Sequence, residues 1–462
     1  MRQVWKALLA VAVLAAMGIG VWFLVRQKEA AVHPADGTQE AGALSGGEFS
    51  GAAESFAGVG WSLRPDTRMA AQEALAEALD RRDIEPDMTL VYYTVHHSPE
   101  AVVEALRPAQ GPKRRICGWV SDFGVIASDG YHHSPNGTVG LMALRLPGML
   151  SGAGWASLDE VEAPQDLAAL ALRRAAEDAG VDPARRPSMI VISSTYHGQE
   201  EKVLEGLAAV HGRDVPVLGG TTAGAPGVGT LVANDHVVKA GTVMAVFYSD
   251  RPFRTAFRGG FNRTGKSGTI TRSDGRVIHE IDGRPAVQVY DEWSGGRLRE
   301  AMRAGLDMNA FTALYPFCRI LDADGETYNL FTHIWPPENA ETTTRLVSSA
   351  TLSDGDVVYF SEGSWNILLN RIGALPRLAG GDAPEAGAEA CLFICCEAVL
   401  KVIPDQERGQ MVHLMNRSLK GVPWIGAFTW GEEGNFPGLG NRHGNLLTGV
   451  TLFPAAPKED EG

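Results

Sequence analysis

Three short segments combine glycines with hydroxyl side chains at a spacing that suits the binding of a small anion. The most complete is Gly219–Gly224, with the sequence GGTTAG. Glycine has no Cβ and reaches positive φ, so its backbone amides can approach a ligand closely. Successive amides in such a turn form a concavity that fits a carboxylate, and threonine hydroxyls add polar contacts. We therefore predict a ligand-binding turn at this position.

Two further glycine-rich segments, Gly118–Gly124 and Gly426–Gly431, lie at matching points of a repeated pattern. Glu432 follows the second of these and offers a carboxylate to an ammonium group. A competing interpretation is that the glycines only permit tight turns between strands. On the first interpretation, both halves of the chain contribute to one site. The predicted ligand-binding residues are Gly219, Gly220, Thr221, Thr222, Gly224, Ser121, Thr429, Gly431 and Glu432.

Two histidines, His97 and His197, follow the first strand of two repeated units. An imidazole in such a loop could bind a haem iron or a ligand, although a helix-start or surface histidine is the simpler interpretation. The pairs His96-His97 and His132-His133 are poor metal sites, because adjacent residues of an extended segment point to opposite faces. No carboxylate stands at ligand spacing from them. We therefore expect no metal site and no obligatory cofactor, with haem as the alternative.

The stretch GFNRTGKS, Gly260–Ser267, fits the phosphate-loop pattern G-x-x-x-x-G-K-[ST]. A phosphate loop requires a helix that starts at the lysine, so that amides and the helix N-terminus hold phosphate. The residues that follow instead alternate between apolar and polar around a Ser-Asp-Gly turn, and a helical pattern begins only near Pro285. We predict a β-hairpin here, and a nucleotide-dependent enzyme is disfavoured.

Composition limits the classes of partner and chemistry. The chain has 462 residues, a formal net charge of −14 and five cysteines without a C-x-x-C pair. The negative charge argues against nucleic acid as a partner. The odd cysteine count argues against a disulfide framework. Cys395 and Cys396 lie in an apolar run, which is typical of buried thiols. A cysteine-dependent enzyme is therefore also disfavoured.

The N-terminal segment predicts a membrane anchor. Ala7–Val25 contains nineteen residues without a charge, flanked by basic residues on both sides. At about 1.5 Å per residue such a helix nearly spans a hydrocarbon core of about 30 Å. A cleaved signal peptide is the alternative, although its apolar core is usually shorter. The basic residues before the segment favour a body on the extracytoplasmic side. The free cysteines favour a reducing compartment.

The elements that position these residues form a repeat. Thr89–Gly124, Met189–Gly224 and Cys391–Glu433 each show an apolar strand, an amphipathic helix, a second strand and a glycine-rich segment. A further apolar strand follows each of them. Such β-α-β-β units predict an α/β fold with mixed sheets and packed helices. The predicted regions are a membrane anchor (1–28), a flexible linker (29–57), two α/β domains (58–253 and 254–454) and an acidic tail (455–462).

This arrangement resembles the FIST family, a two-part sensory module of bacterial signalling proteins. Residues 58–250 resemble the N-terminal part of the FIST module. Their most specific segments are GVGWSLRPDTRMAAQEALAEAL and VLGGTTAGA. The C-terminal part resembles residues 260–453, which contain VIHEIDGRPAVQVYDEW, LFICCEAVL and GAFTWGEEG. Two features depart from the family pattern. No arginine follows Cys395 and Cys396 on the late strand, and the anchor lies outside the module.

The resemblance implies a sensory function rather than catalysis. Family members are thought to bind small ligands such as amino acids and to relay the signal, and some are haem-binding gas sensors. We therefore expect a membrane-anchored sensory protein that binds an amino acid or a small carboxylate. Its signal would pass to a separate signalling protein, because the sequence contains no kinase, cyclase or DNA-binding element.

Overall fold

The structure is a computed structural model, and in it the three repeats contain strands and helices in a similar order. It describes residues 55–107, 115–195, 198–224, 228–337 and 342–456. The expected anchor and most of the expected linker lie outside these residues, so both stay predictions. Within the described ranges no helix is long and apolar enough to cross a membrane.

Each repeat contains a first strand, a helix, a parallel β-α-β unit, a short ribbon and a last strand. The first repeat consists of β1 (Phe56–Ser62), α1 (Thr67–Ala78), β2 (Met88–Tyr93), α2 (Pro99–Leu106), β3 (Ile116–Val120), β4 (Val125–Ala127), β5 (Gly130–His132) and β6 (Val139–Arg145). The second consists of β7 (Leu150–Ser157), α3 (Asp166–Ala179), β8 (Met189–Ser194), α4 (Glu200–His211), β9 (Val217–Thr222), β10 (Leu231–Ala233), β11 (His236–Val238) and β12 (Gly241–Tyr248).

The third repeat is interrupted by an insertion after its first strand. The repeat consists of β13 (Arg254–Gly259), α8 (Trp365–Gly380), β22 (Ala388–Cys396), α9 (Glu397–Val402), α10 (Arg408–Leu419), β23 (Trp424–Phe436), β24 (Gly440–Gly444) and β25 (Leu447–Pro454). The insertion consists of β14 (Asn262–Asp274), β15 (Val277–Ile281), β16 (Arg284–Pro285), α5 (Ala286–Trp293), α6 (Arg297–Arg303), α7 (Met308–Thr312), β17 (Phe317–Ala323), β18 (Glu326–Thr332), β19 (Ile334–Trp335), β20 (Leu346–Ser348) and β21 (Val357–Glu362).

The ribbons connect the three repeats in a cycle. Strand β4 pairs with β23, β10 pairs with β3, and the distal part of β23 pairs with β9. Each repeat therefore adds its ribbon to a strand of the preceding repeat, and the first adds its ribbon to the third. An eleven-stranded sheet runs from β13 to β7 across repeats two and three. It crosses the boundary that we expected at residues 253 and 254, and the division into two domains stays a prediction.

The hydrophobic core follows the same arrangement. Apolar residues from one face of the strands of each repeat form a shared central cluster, which includes Leu90, Val191 and Leu392. The opposite faces pack against the helices of each repeat in three separate clusters. Strands buried on both faces explain the continuous apolar runs of the sequence. The insertion has an eight-stranded sheet and an apolar cluster of its own.

The phosphate-loop-like stretch, which we expected to be a loop at the entry to the hairpin, lies mostly within the first strand of that hairpin. Gly260 and Phe261 precede β14, which contains Lys266 and continues through Ser267 to Asp274. Its pairing with β21 is irregular between Arg263 and Ser267, which is typical of a β-bulge. The Lys266 ammonium donates to the Trp293 carbonyl at 2.5 Å. No helix starts at the lysine, and α5 begins at Ala286.

Our prediction of a turn over Gly219–Gly224 is wrong for the first four residues. Gly219 to Thr222 lie in β9, between β8 and β23. A Cβ at Gly219 would lie 1.7 Å from the carbonyl oxygen of Ile192, and one at Gly118 would lie 1.9 Å from that of Val91. Glycine is therefore required here by the close approach of adjacent strands.

We expect Gly219→Ala to lower the free energy of unfolding by about 3 kcal/mol, because the new methyl group forces β8 and β9 apart. Gly409→Ala is the matched control. Nothing lies within 4 Å of a Cβ at that helical position, and alanine should stabilise α10 by up to about 1 kcal/mol. Urea denaturation of both variants tests this, and an unchanged stability of Gly219→Ala would contradict the close approach.

Candidate functional site

Three of the predicted hydroxyl residues meet where β3 and β9 end beside the middle of β23. Ser121 Oγ accepts a hydrogen bond from the Phe428 amide at 2.8 Å and donates to the Gly124 carbonyl at 2.6 Å. Thr222 Oγ1 donates to the Val120 carbonyl at 3.1 Å, and Thr429 lies opposite Thr222 in the pairing of β23 with β9. The three hydroxyl residues are buried and join the repeats to one another.

Glu432 is fully buried beside this junction. Its carboxylate accepts hydrogen bonds from Thr429 Oγ1 at 2.8 Å and from the Leu447 amide at 3.1 Å. Burial raises its pKa to about 8, although these two hydrogen bonds favour the charged form. The carboxylate therefore braces the end of β23. Its expected role as a receptor for an ammonium group stays a prediction.

The remaining predicted residues lie apart from one another. Gly224 has a φ of +107° just beyond β9, and Gly431 lies within β23. His97 is buried at the start of α2, where its Nδ1 lies 3.1 Å from Thr67 Oγ1. Burial lowers the pKa of His97, with a further contribution from His96. His197 lies outside the described residues, so the haem hypothesis stays untested.

All five cysteines are buried, as the apolar run around Cys395 and Cys396 indicated. Burial raises the pKa of each thiol well above its ordinary value, and Glu432 adds to the effect at Cys395 and Cys396. A nucleophilic cysteine needs a lowered pKa. The described surroundings of these thiols therefore do not support cysteine catalysis.

A second group of polar residues contains the predicted Thr221 and three residues that were not predicted from the sequence. Thr221, Glu433, His443 and Asn445 are each at most 4% exposed. Their side-chain polar atoms, both Glu433 oxygens and both His443 nitrogens among them, have no hydrogen-bond partner in the part of the chain that the structure describes. We call these four residues the polar chamber. Buried polar groups normally have partners, so this concentration requires an explanation.

Strand pairing places the four residues of the polar chamber on one face of the sheet. Glu433 lies opposite His443 in the pairing of β23 with β24, and Thr221 lies opposite Gly431 in that of β9 with β23. A Cβ on Gly431 would lie 2.5 Å from His443 Cε1 and 3.2 Å from Asn445 Nδ2. Gly431 therefore leaves the space that the imidazole and the amide occupy.

The other two repeats show what the fold requires at these positions. Glu433 lies opposite Gly219, the third residue of its strand, and the equivalents of Gly219 are Gly118 and Gly426. Opposite these two glycines lie Val232 and Ile126, which are fully buried in the helix-side clusters. The equivalents of His443 are Val237 and Tyr131. The repeat therefore folds with apolar residues at the Glu433 position.

Two carboxylates at the start of α4 lie near the polar chamber. Arg276 Nη2 donates to Glu200 Oε2 at 2.5 Å and to Glu201 Oε2 at 3.0 Å, and the Thr351 amide donates to Glu201 Oε1 at 2.7 Å. Burial and the charges of Glu200 and Glu201 raise the pKa of Glu433. Burial would also raise the pKa of Glu201, but His443, Arg276 and hydrogen bonding outweigh it and lower it to about 2.

Comparison with known proteins identifies one part of the chain. Residues 87–284 match the FIST N domain. No curated protein matches the sequence. Among solved structures, a cyanuric acid hydrolase from A. caulinodans matches with 10% identity and a TM-score of 0.32, over 87% of this chain and 100% of that one. A likeness this weak carries no argument about fold or function.

The FIST N domain contains only part of the polar chamber. Thr221 and the neighbouring Glu200, Glu201 and Arg276 lie inside the matched residues, whereas Glu433, His443 and Asn445 lie beyond them. The match begins just before β2 and runs past residue 253 to the β14–β15 hairpin. The resemblance of residues 260–453 to a FIST C domain stays a prediction. The site therefore needs both the FIST N domain and the late strands.

We expect Glu433→Ile, which introduces the residue found at the equivalent position of the first repeat, to raise the free energy of unfolding at pH 8 by about 1–4 kcal/mol. The pKa of Glu433 is raised by folding, so its ionisation destabilises the folded state as the pH rises above about 4.5. The difference between variant and wild type should therefore shrink as the pH falls towards that value.

The measurement is urea denaturation between pH 4.5 and pH 8. Glu326→Ile, at an exposed position of β18, is the control and should show no such pH-dependent gain. If Glu433→Ile were strongly destabilising at pH 8, the carboxylate would have a stabilising partner and the polar chamber would not be an unfilled site.

Proposed function

We propose that this protein is a sensor that binds a small amino acid in the polar chamber. The FIST N domain supports a sensory function, because the family is thought to bind small ligands. The observation that carries the proposal is the buried Glu433 carboxylate, for which the described residues supply no hydrogen bond. Burial raises the pKa of Glu433 because the ionised form has no partner among the described residues, and a cationic ligand would stabilise that form.

The side chains of the polar chamber suit a zwitterion. The ammonium group of an amino acid would bind Glu433, and its carboxylate would accept hydrogen bonds from Thr221 and Asn445. His443 can donate or accept according to its tautomer. A carboxylate without an ammonium group would lie beside the acidic side chains of Glu432 and Glu433 and would supply no cation to them. An amino acid therefore fits better than a simple carboxylate.

The proposal extends to location and output. The apolar segment Ala7–Val25 would anchor the protein in the membrane, with the body on the extracytoplasmic side. A separate signalling protein would receive the signal. The haem alternative stays untested, and a Soret band in the absorption spectrum of the purified protein would support it. The buried thiols argue against a cysteine-dependent enzyme. The strand at Lys266 argues against a nucleotide-dependent enzyme.

We expect one or more small amino acids to stabilise the full-length protein in detergent. Ligand at a hundredfold excess over Kd raises the free energy of unfolding by about 2.7 kcal/mol, which thermal denaturation detects as a higher Tm. Glu433→Gln should weaken binding about 10- to 100-fold, since hydrogen bonds to charged groups contribute about 1.5–3 kcal/mol.

Three comparisons make this test specific. Glu326→Gln removes an exposed carboxylate and should bind as wild type does. Methylammonium should bind weakly, because it supplies only the cationic group, and acetate should not bind. An amino acid that stabilises wild type and Glu433→Gln equally would show that the ligand binds elsewhere.

A further inference from the structure

The insertion is a compact element with one strongly charged contact to the second repeat. Its sheet contains β14 to β21, and α5, Phe317 and Phe360 contribute to its own apolar cluster. Arg276 lies in the turn between β14 and β15, and its guanidinium reaches Glu200 and Glu201 in the first turn of α4. The Thr351 amide, just beyond β20, binds Glu201 from the same side. The insertion therefore contacts the carboxylates that raise the pKa of Glu433.

This contact is buried and ionic. The side chains of Arg276 and Glu200 are 12% and 1% exposed. Interactions between charges strengthen as water is excluded, so a change in one charge alters the others substantially. Arg276 joins two carboxylates at the start of α4, and His443 lies opposite Glu433 in the pairing of β23 with β24. A second cation that entered the polar chamber would lower the negative potential that holds Arg276.

We propose that the ammonium group of a bound ligand and the Arg276 guanidinium compete for the same carboxylates, so that ligand binding releases the insertion from α4. This inference rests on the proposed amino-acid site and adds its output. The side chains of the polar chamber are buried, so a ligand reaches them only when the elements over them move. Helix α4 packs against β24, which contains His443, and the β14–β15 turn holds the first turn of this helix.

Competition couples the affinity for the ligand to the strength of the Arg276 contact. If the ligand weakens the binding of Arg276, then Arg276 must weaken the binding of the ligand by the same factor. Removal of the guanidinium should therefore increase the affinity for a cation. A purely structural role of Arg276 would instead lower the affinity or leave it unchanged.

Hydrogen–deuterium exchange of the full-length protein in detergent tests this inference, with Arg276→Ala and the control Arg272→Ala. Arg272 lies in the same hairpin, and its side chain is 60% exposed in a pair with Glu280. Methylammonium chloride is the probe, and potassium chloride at equal ionic strength is its control. In Arg276→Ala, exchange at the first turn of α4 and at the β14–β15 turn should be at least about tenfold faster than in wild type. Arg272→Ala should match wild type.

Methylammonium should accelerate exchange of wild type at the same two places and should bind Arg276→Ala about tenfold more tightly. If it binds but leaves exchange unchanged, or binds Arg276→Ala more weakly, the competition is wrong and the amino-acid site stands. If neither methylammonium nor any amino acid binds wild type or Arg276→Ala, the proposed function and this inference both fail. Unchanged exchange in Arg276→Ala would overturn the inference alone.

Discussion

The pairing of β9 with β23 is the constraint on which the site depends. This pairing attaches the late strands to the FIST N domain and places Glu433 over Gly219. A one-residue shift of the register would turn Glu433 to the opposite face of the sheet. Two glycines permit the close approach, since a Cβ on Gly220 would lie 2.2 Å from the carbonyl oxygen of Gly431. The same backbone contact therefore joins the two halves and brings a carboxylate under α4.

Comparison of the three repeats shows which type of residue the fold requires at the position of Glu433 and which type it only tolerates. Ile126 and Val232 fill the position of Glu433 in the other ribbons, so an apolar residue satisfies the packing there. Replacement of such a residue by an unpaired carboxylate lowers stability unless another charge compensates. Proteins keep unfavourable arrangements of this kind mainly at functional sites. Glu433 differs in this respect from Glu432, whose carboxylate is already hydrogen-bonded.

Local patterns predicted the elements well and the site only in part. The alternation after Ser267 predicted the hairpin, and the apolar runs predicted the repeated units, because both signals are local. The glycines of β9 looked like a turn, since a sequence does not distinguish a glycine that turns from one that lets strands approach. Glu433 could not be chosen over Glu432, because the buried partners of each depend on strand register and on β24. The contact of Arg276 with α4 joins distant segments and leaves no local signal.

A buried charge without a partner is also a means of coupling two events. A ligand shifts a conformational equilibrium only by the difference in its affinity for the two states. Arg276 forms ion pairs with Glu200 and Glu201, whereas burial and the neighbouring carboxylates raise the pKa of Glu433. A cation that satisfies Glu433 therefore gains most when it enters, and it reduces the attraction on the arginine at the same time. Binding and release thus depend on one electrostatic balance, and an apolar residue at Glu433 would remove both.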